Sequence, residues 1–317
     1  MKNRTKLALS LTSLIAVTAG IGTAATFAWF TTTRTATVSF SKTNVTFETI
    51  NLGVTLDEGS GYVSTNTEKT LSITSTALET KGTTIKDVSG DGTNMFRPVW
   101  LADQEGVKAS SVTDISGTKA NNYVQFTLTV ANTGNSAMEV YINKGSKMVG
   151  TTVTPVKAGT PTTEETAQIN SNTVAAHQMR AAFTVKDDKA TSDPELRTIW
   201  QNAVSSKNTY VNSTTVTGET ISTAEYASSV HIKGTTAGGN NVAEFTDEIN
   251  ASAKTSAAYL CTTAAGKSSS ITVTYWLEGT FYTGADSTAP DGITKFNPND
   301  AIGGNTNLNL NLVGVKA

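Results

Sequence analysis

From Val38 onward, apolar residues recur at every second position in short runs, and the positions between them are mostly Thr, Ser, Asn and Gly. A period of two marks a strand with one buried face, because successive side chains point to opposite sides of a sheet. Val38 and Phe40 form one run, Val45 and Phe47 the next, and Ile50, Leu52, Val54 and Leu56 a third. The alternation slips by one residue between Phe47 and Ile50, where either a bulge sits or two strands meet. Val124, Phe126, Leu128 and Val130 alternate with Gln125, Thr127 and Thr129, and Met138, Val140 and Ile142 follow the turn Asn132-Thr133-Gly134-Asn135. This pair predicts a hairpin. Met179, Ala181, Phe183 and Val185 predict another strand. Near the end come Ala258 to Thr262, a turn around Gly266, the run Ile271, Val273, Tyr275 and Leu277, and a strand in which Leu308, Leu310 and Leu312 alternate with Asn.

Between these runs, residues 145–172 are rich in Thr, Gly, Pro and Glu and read as a long loop. Residues 210–257 are again polar, with few strands and a break at Gly238-Gly239-Asn240-Asn241. One short helix is predicted where Ser192 or Asp193 caps the start, Pro194 suits the first turn, and Leu196, Ile199 and Trp200 share a face. No internal repeat of fixed period occurs. The whole predicts an all-β fold, a jelly-roll-like β-sandwich with one short helix and long polar loops, in a single domain over residues 29–317.

Composition narrows the functions. Charged residues make up 16% of the chain and the net charge is -2, so no basic field exists to hold a phosphate backbone, and nucleic acid is excluded as a partner. The single cysteine, Cys261, has no internal disulfide partner and is either buried and inert, the expected reading, or a reactive thiol. His177 and His231 are the two histidines and neither sits in an H-E-x-x-H pattern, so the chain offers no zinc-protease ligand set. No G-x-S-x-G elbow, Walker loop or dinucleotide fingerprint occurs either. The reading is of a protein that is not an enzyme.

The amino terminus reads as an address. Lys2, Arg4 and Lys6 precede a stretch from Leu7 to Phe30 that carries no charge, the pattern of an export signal over residues 1–28. Thr26 and Ala28 are the small residues a signal peptidase requires, which places cleavage after Ala28 and makes Trp29 the first mature residue; Ala25 is a second position. The alternative is an uncleaved anchor, for which the stretch is long enough but diluted by Thr, Ser and Gly. In that case alone the membrane is a partner. The expected location is secreted, extracellular or at the cell surface.

The segment Thr26-Phe27-Ala28 with Phe30 just beyond, and the Thr-rich run Thr35-Ala36-Thr37-Val38-Ser39-Phe40 after it, resemble the TasA/camelysin family of secreted bacterial matrix proteins. The pattern of Val124 to Ile142, with Asn132-Thr133-Gly134 in its turn, is similar too. The resemblance covers about the first 60 residues well and the rest only in pattern. It implies a jelly-roll module, exported through a dedicated signal peptidase and, in the fibre-forming members, joined head to tail by a donated amino-terminal strand. A second block, Tyr275-Trp276-Leu277-Glu278-Gly279 followed by Ala301-Ile302-Gly303-Gly304, resembles a carboxy-terminal block of exported bacterial proteins in which a Cys often follows the Glu-Gly pair. Here Thr280 stands in that place. Glu278 itself reads as a strand-end charge satisfied by nearby backbone.

Self-association is therefore the expected partnership. The candidate donor is Thr35 to Phe40, within a segment spanning residues 29–44, with Val38 and Phe40 as its anchors; the alternative is that these residues form an ordinary edge strand of their own sheet. A surface adhesin or carbohydrate-binding module is the second functional reading, with polysaccharide as the partner and Trp100, Trp200 and Trp276 as the available platforms, unless each belongs to the core. No cofactor is expected apart from calcium: Asp87, Ser89, Asp91 and Gly92 have the D-x-S-x-D-G spacing of a cation-wrapping loop, but Pro98 occupies the twelfth position where a bidentate Glu is needed. The site is either weak or a plain Asp/Gly turn.

Overall fold

The computed structural model describes residues 35–47, 52–56, 64–66, 70–73, 83–100, 109–119, 121–132, 134–187, 193–201, 209–217, 220–226, 231–233, 235–236, 243–250, 252–279 and 302–317. The expected signal and its cleavage position at Ala28 and Trp29 lie outside these residues. Strands β1 (Thr35–Phe47), β2 (Leu52–Leu56), β3 (Ser64–Asn66), β4 (Thr70–Ile73) and β5 (Thr83–Lys86) come first. Then follow β6 (Ser89–Gly90), β7 (Met95–Trp100), β8 (Ala109–Asp114), β9 (Val124–Asn132), β10 (Met138–Ile142) and β11 (Lys147–Gly150). Helix α1 (Thr163–Gln178) leads into β12 (Met179–Lys186) and β13 (Glu195–Gln201). The polar stretch holds β14 (Thr209–Thr217), β15 (Thr220–Glu225), β16 (His231–Lys233), β17 (Thr235–Thr236) and β18 (Ala243–Glu244). Strands β19 (Tyr259–Thr263), β20 (Ser268–Leu277) and β21 (Gly304–Lys316) complete the order.

Two large sheets make an all-β, sandwich-like fold. One runs β17-β18-β11-β21-β1-β4, with β10 on β21, β19 on β10 and β5 on β1; the other runs β16-β13-β12-β20-β9-β2-β3. Strand alternation sets the layers. Leu128, Val130, Phe183, Ile271 and Val273 of the second sheet and Val140, Ile142, Leu308, Leu310 and Leu312 of the first belong to one buried cluster, because residues two apart on a strand share a face. A smaller cluster, with Val88, Met95, Tyr123, Ala182, Ile199, Tyr226 and Trp276, lies beneath the sheets β6-β7-β8 and β14-β15.

Strand β1 joins the first sheet along most of its length. It runs parallel to β21 from Ala36 opposite Gly304 to Phe47 opposite Gly314, with a register shift between Phe40 and Lys42. On its other side β5 pairs with Thr35 to Val38 and β4 with Thr43 to Thr46, both antiparallel. The slip in alternation after Phe47 is therefore a meeting of two strands in different sheets, since β2 pairs with β9 in the second sheet.

Three expectations are corrected. The run Val124 to Ile142 is not a hairpin: β9 pairs with β2 and β20, whereas β10 pairs with β19 and β21, so the chain crosses from one sheet to the other. Asn132 fixes that crossing, its side-chain amide donating to Ser136 O and Thr263 O while its Oδ1 accepts from Gly134 N. The predicted helix around residues 192–200 is strand β13, which pairs with β12. The helical spacing of Leu196, Ile199 and Trp200 misleads because consecutive residues Thr198 to Gln201 are all buried, so both faces of the strand are covered. The helix lies instead inside the stretch read as a loop. Thr162 caps α1 with a reciprocal box: its hydroxyl accepts from Glu165 N at 3.1 Å and Glu165 Oε2 accepts from Thr162 N at 2.7 Å.

Candidate functional site

Two places gather the residues with functional content: the β1–β21 seam and a buried polar cluster behind the second sheet. At the seam, Val38 stands opposite Thr306 and Phe40 opposite Leu308. Strand β21 carries buried Leu308, Leu310 and Leu312 on one face and half-buried Asn305, Asn307, Asn309 and Asn311 on the other. The segment expected to be donated is thus an inner strand of its own chain, paired on both sides, not an edge strand.

The buried cluster is built on the end of β20. Arg180 from β12 and Glu278 face each other with Nη1 and Oε2 3.2 Å apart, their side chains 1% and 0% exposed. Trp276 Nε1 donates to the same Oε2 at 2.9 Å. Arg180 Nη1 also donates to Tyr226 Oη at 2.8 Å, and its guanidinium lies over the Tyr226 ring, 5.0 Å from the centroid. Tyr226 Oη donates in turn to Gly90 O, and Tyr210 stacks on its ring at 4.9 Å. Burial holds the Tyr226 phenol well above its usual pKa.

The backbone of the same block is equally engaged. Glu278 N donates to Gln178 O, Val88 N to Leu277 O and Gly279 N to Val88 O. Tyr275-Trp276-Leu277-Glu278-Gly279 is therefore a clamp that ties the start of β12, the segment before β6 and Tyr226 into one unit. The expectation that Glu278 is a strand-end charge satisfied by nearby backbone is corrected: its carboxylate is an ion-pair partner in the interior. Taking two charges out of water costs several kcal/mol per ion, which only close pairing and further hydrogen bonds offset. Arg180 occupies an alternate position in an apolar run, so periodicity places it in solvent; it is buried because the small sheets cover that face of β12. An arginine inside the apolar run from Met179 to Val185 was its one sequence signal, and Tyr226 had none.

The calcium candidates do not form a cage. Asp91 Oδ1 accepts from Thr93 N at 2.9 Å and Asn94 N at 2.7 Å, closing a turn in which Gly92 has φ +84°. Ser89 Oγ accepts from Val211 N at 2.8 Å, and Asp87 is buried. Among the described residues no group of three His, Cys, Asp or Glu is placed to hold a metal ion. His177 is buried at the end of α1, and His231 begins β16.

Trp200 and Trp276 are fully buried and offer no ring face to a sugar, while the side chain of Trp100 is not among those described. Cys261 is buried, and burial pushes its thiol up to about 12. Among the described residues no helix is long and apolar enough to cross a membrane. No family model, no curated protein and no solved structure matches this chain.

Proposed function

We propose that the chain is a secreted structural protein of the extracellular matrix or cell surface, which assembles into fibres by exchanging its first strand between subunits. The supporting observation is the place of β1. It begins just beyond the expected signal and forms a ladder with β21 along nearly its whole length. A neighbouring copy that presents the same residues satisfies the same register, so exchange conserves the ladder bonds and is driven by concentration. Removal of the signal frees the segment ahead of Thr35 and couples assembly to export. The role asks for no catalysis.

Electron microscopy and light scattering of the secreted protein test this, with Val38→Asp/Phe40→Asp as the paired variant. An apolar side chain buried on pairing contributes about 1.5–3 kcal/mol, so carboxylates at both anchor positions should abolish fibres while the signal is still removed. A parent protein that is monomeric at every concentration, with a variant that differs only in a lower Tm, would refute the proposal.

A further inference from the structure

We propose that the connection between β11 and α1 is a site of O-linked glycosylation, with Thr152, Thr154 and Thr160 as the acceptors. Residues 151–162 read T-T-V-T-P-V-K-A-G-T-P-T and form no helix or strand. A Thr-rich segment with interspersed Pro is the composition of O-glycosylated stretches. Thr152, Thr154 and Thr160 are exposed, and Val156 is 94% exposed.

Hydrogen bonding separates these three threonines from their neighbours. The Thr162 hydroxyl caps α1, that of Thr166 donates to Thr162 O at 2.8 Å, and that of Thr173 donates to Ile169 O at 2.9 Å. The hydroxyls of Thr152, Thr154 and Thr160 make no hydrogen bond among the described residues. Pro155 and Pro161 directly follow Thr154 and Thr160, which keeps both acceptors out of helical backbone and presents them as extended peptide.

The course of the loop is set without the acceptors. Thr151 N donates to Asn305 O at 2.8 Å, and Asn172 Nδ2 donates to Thr151 O at 2.7 Å. The Glu165 carboxylate takes Val156 N at 2.8 Å and Thr162 N at 2.7 Å. A sugar on any of the three hydroxyls therefore leaves these contacts intact.

In the transfer, Thr Oγ1 attacks the anomeric carbon of an activated sugar, a glycosyl phosphate ester bound to a transferase. The new C–O bond forms as the bond from that carbon to the phosphate oxygen breaks. The phosphate leaves with the electron pair, the hydroxyl proton passes to a base of the transferase, and nothing is oxidised or reduced.

The inference rests on the proposed export, and its test keeps the two apart. Intact-mass and fragment mass spectrometry compare protein from cells that naturally make it with protein made in a heterologous cytoplasm, each also as Thr152→Ala/Thr154→Ala/Thr160→Ala. The expected result is one or more sugar-mass increments on the peptide spanning residues 151–162 of the natural material. They should be lost in the triple variant with no shift in Tm, since the hydroxyls have no partner to lose. Exported protein with its signal removed and this peptide unmodified overturns the inference and leaves export standing. Protein held in the cell with Met1 intact and unmodified overturns both, and increments that survive in the triple variant place the sugar elsewhere and overturn this site.

Discussion

Arg180 of β12 and Glu278, just beyond β20, form an ion pair that water does not reach, beside Tyr226 and Trp276 of the smaller core. Each partner alone is a stranded charge. Glu278→Leu or Arg180→Met should destabilise the fold by about 3–5 kcal/mol, because the remaining ion loses its partner without regaining solvent. Arg180→Met with Glu278→Leu should recover much of that loss, since an apolar pair of similar volume needs no compensation. Urea unfolding of the four proteins completes the cycle; additive single and double effects would show that the two residues do not act as a pair.

Cys261 should resist alkylation in the folded protein. Its thiol is pushed from 9.0 to about 12 by burial, so the nucleophilic thiolate is scarce at any ordinary pH. The neutral form is favoured by the native state, so its contribution to stability is complete below the unfolded value near 9 and is lost as pH rises toward 12. Iodoacetamide labelling at pH 8, with and without denaturant, checks this. Labelling at equal rates in both would contradict it.

Acid should loosen the start of α1. The backbone N–H groups of Thr162 and Val156 hold the Glu165 carboxyl below its usual range. A depressed carboxylate stabilises the fold above its unfolded value of 4.5, and that support fades as pH falls through the lower folded value. Glu165→Ala should remove the pH dependence of the protection factors at the amides of Val156 and Thr162, while Glu165→Gln, which still fits a capping box, should retain part of the protection at neutral pH.

Gly304 is a packing glycine. A Cβ there would sit 2.6 Å from Ala175 Cβ and press on Ser171 O of α1, so Gly304→Ala should force the helix from the first residue of β21. The cost expected for such overpacking is about 1–3 kcal/mol, read as a lower midpoint in denaturant with an unchanged slope. The exposed glycine Gly117, with nothing near its Cβ, serves as the control.

The parts legible in the sequence are those where one face of a strand meets the core and the other meets water. Leu308, Leu310 and Leu312 against their asparagines, and Val124 to Val130 against Gln125, Thr127 and Thr129, lie as the alternation predicts. Partnership was less legible, because a polar turn does not say whether the next strand returns to its own sheet or crosses to the other. Asn132 sends it across through contacts with residue 263, a fact no local pattern carries. The misplaced helix has the same root: Ile199 and Trp200 are both buried in a strand covered on two sides, while α1 buries little beyond its last two turns and advertises itself only through Thr162 and Glu165. The interior charges were hidden because Arg180 obeys the solvent-facing phase of its strand and is covered by a layer far away in sequence.

The parallel partnership of β1 with β21 sets the order of events in the life of the chain. Ala36 waits for Gly304, and Phe47 for Gly314, so the first sheet cannot close while most of the polypeptide is still being made. Closing so wide a loop delays folding rather than weakening the product, since the entropy of closure grows only slowly with length whereas the rate falls with the sequence separation of contacts. A nascent chain built this way can pair β1 with β4 and β5 early, but it completes its first sheet only once β21 is available.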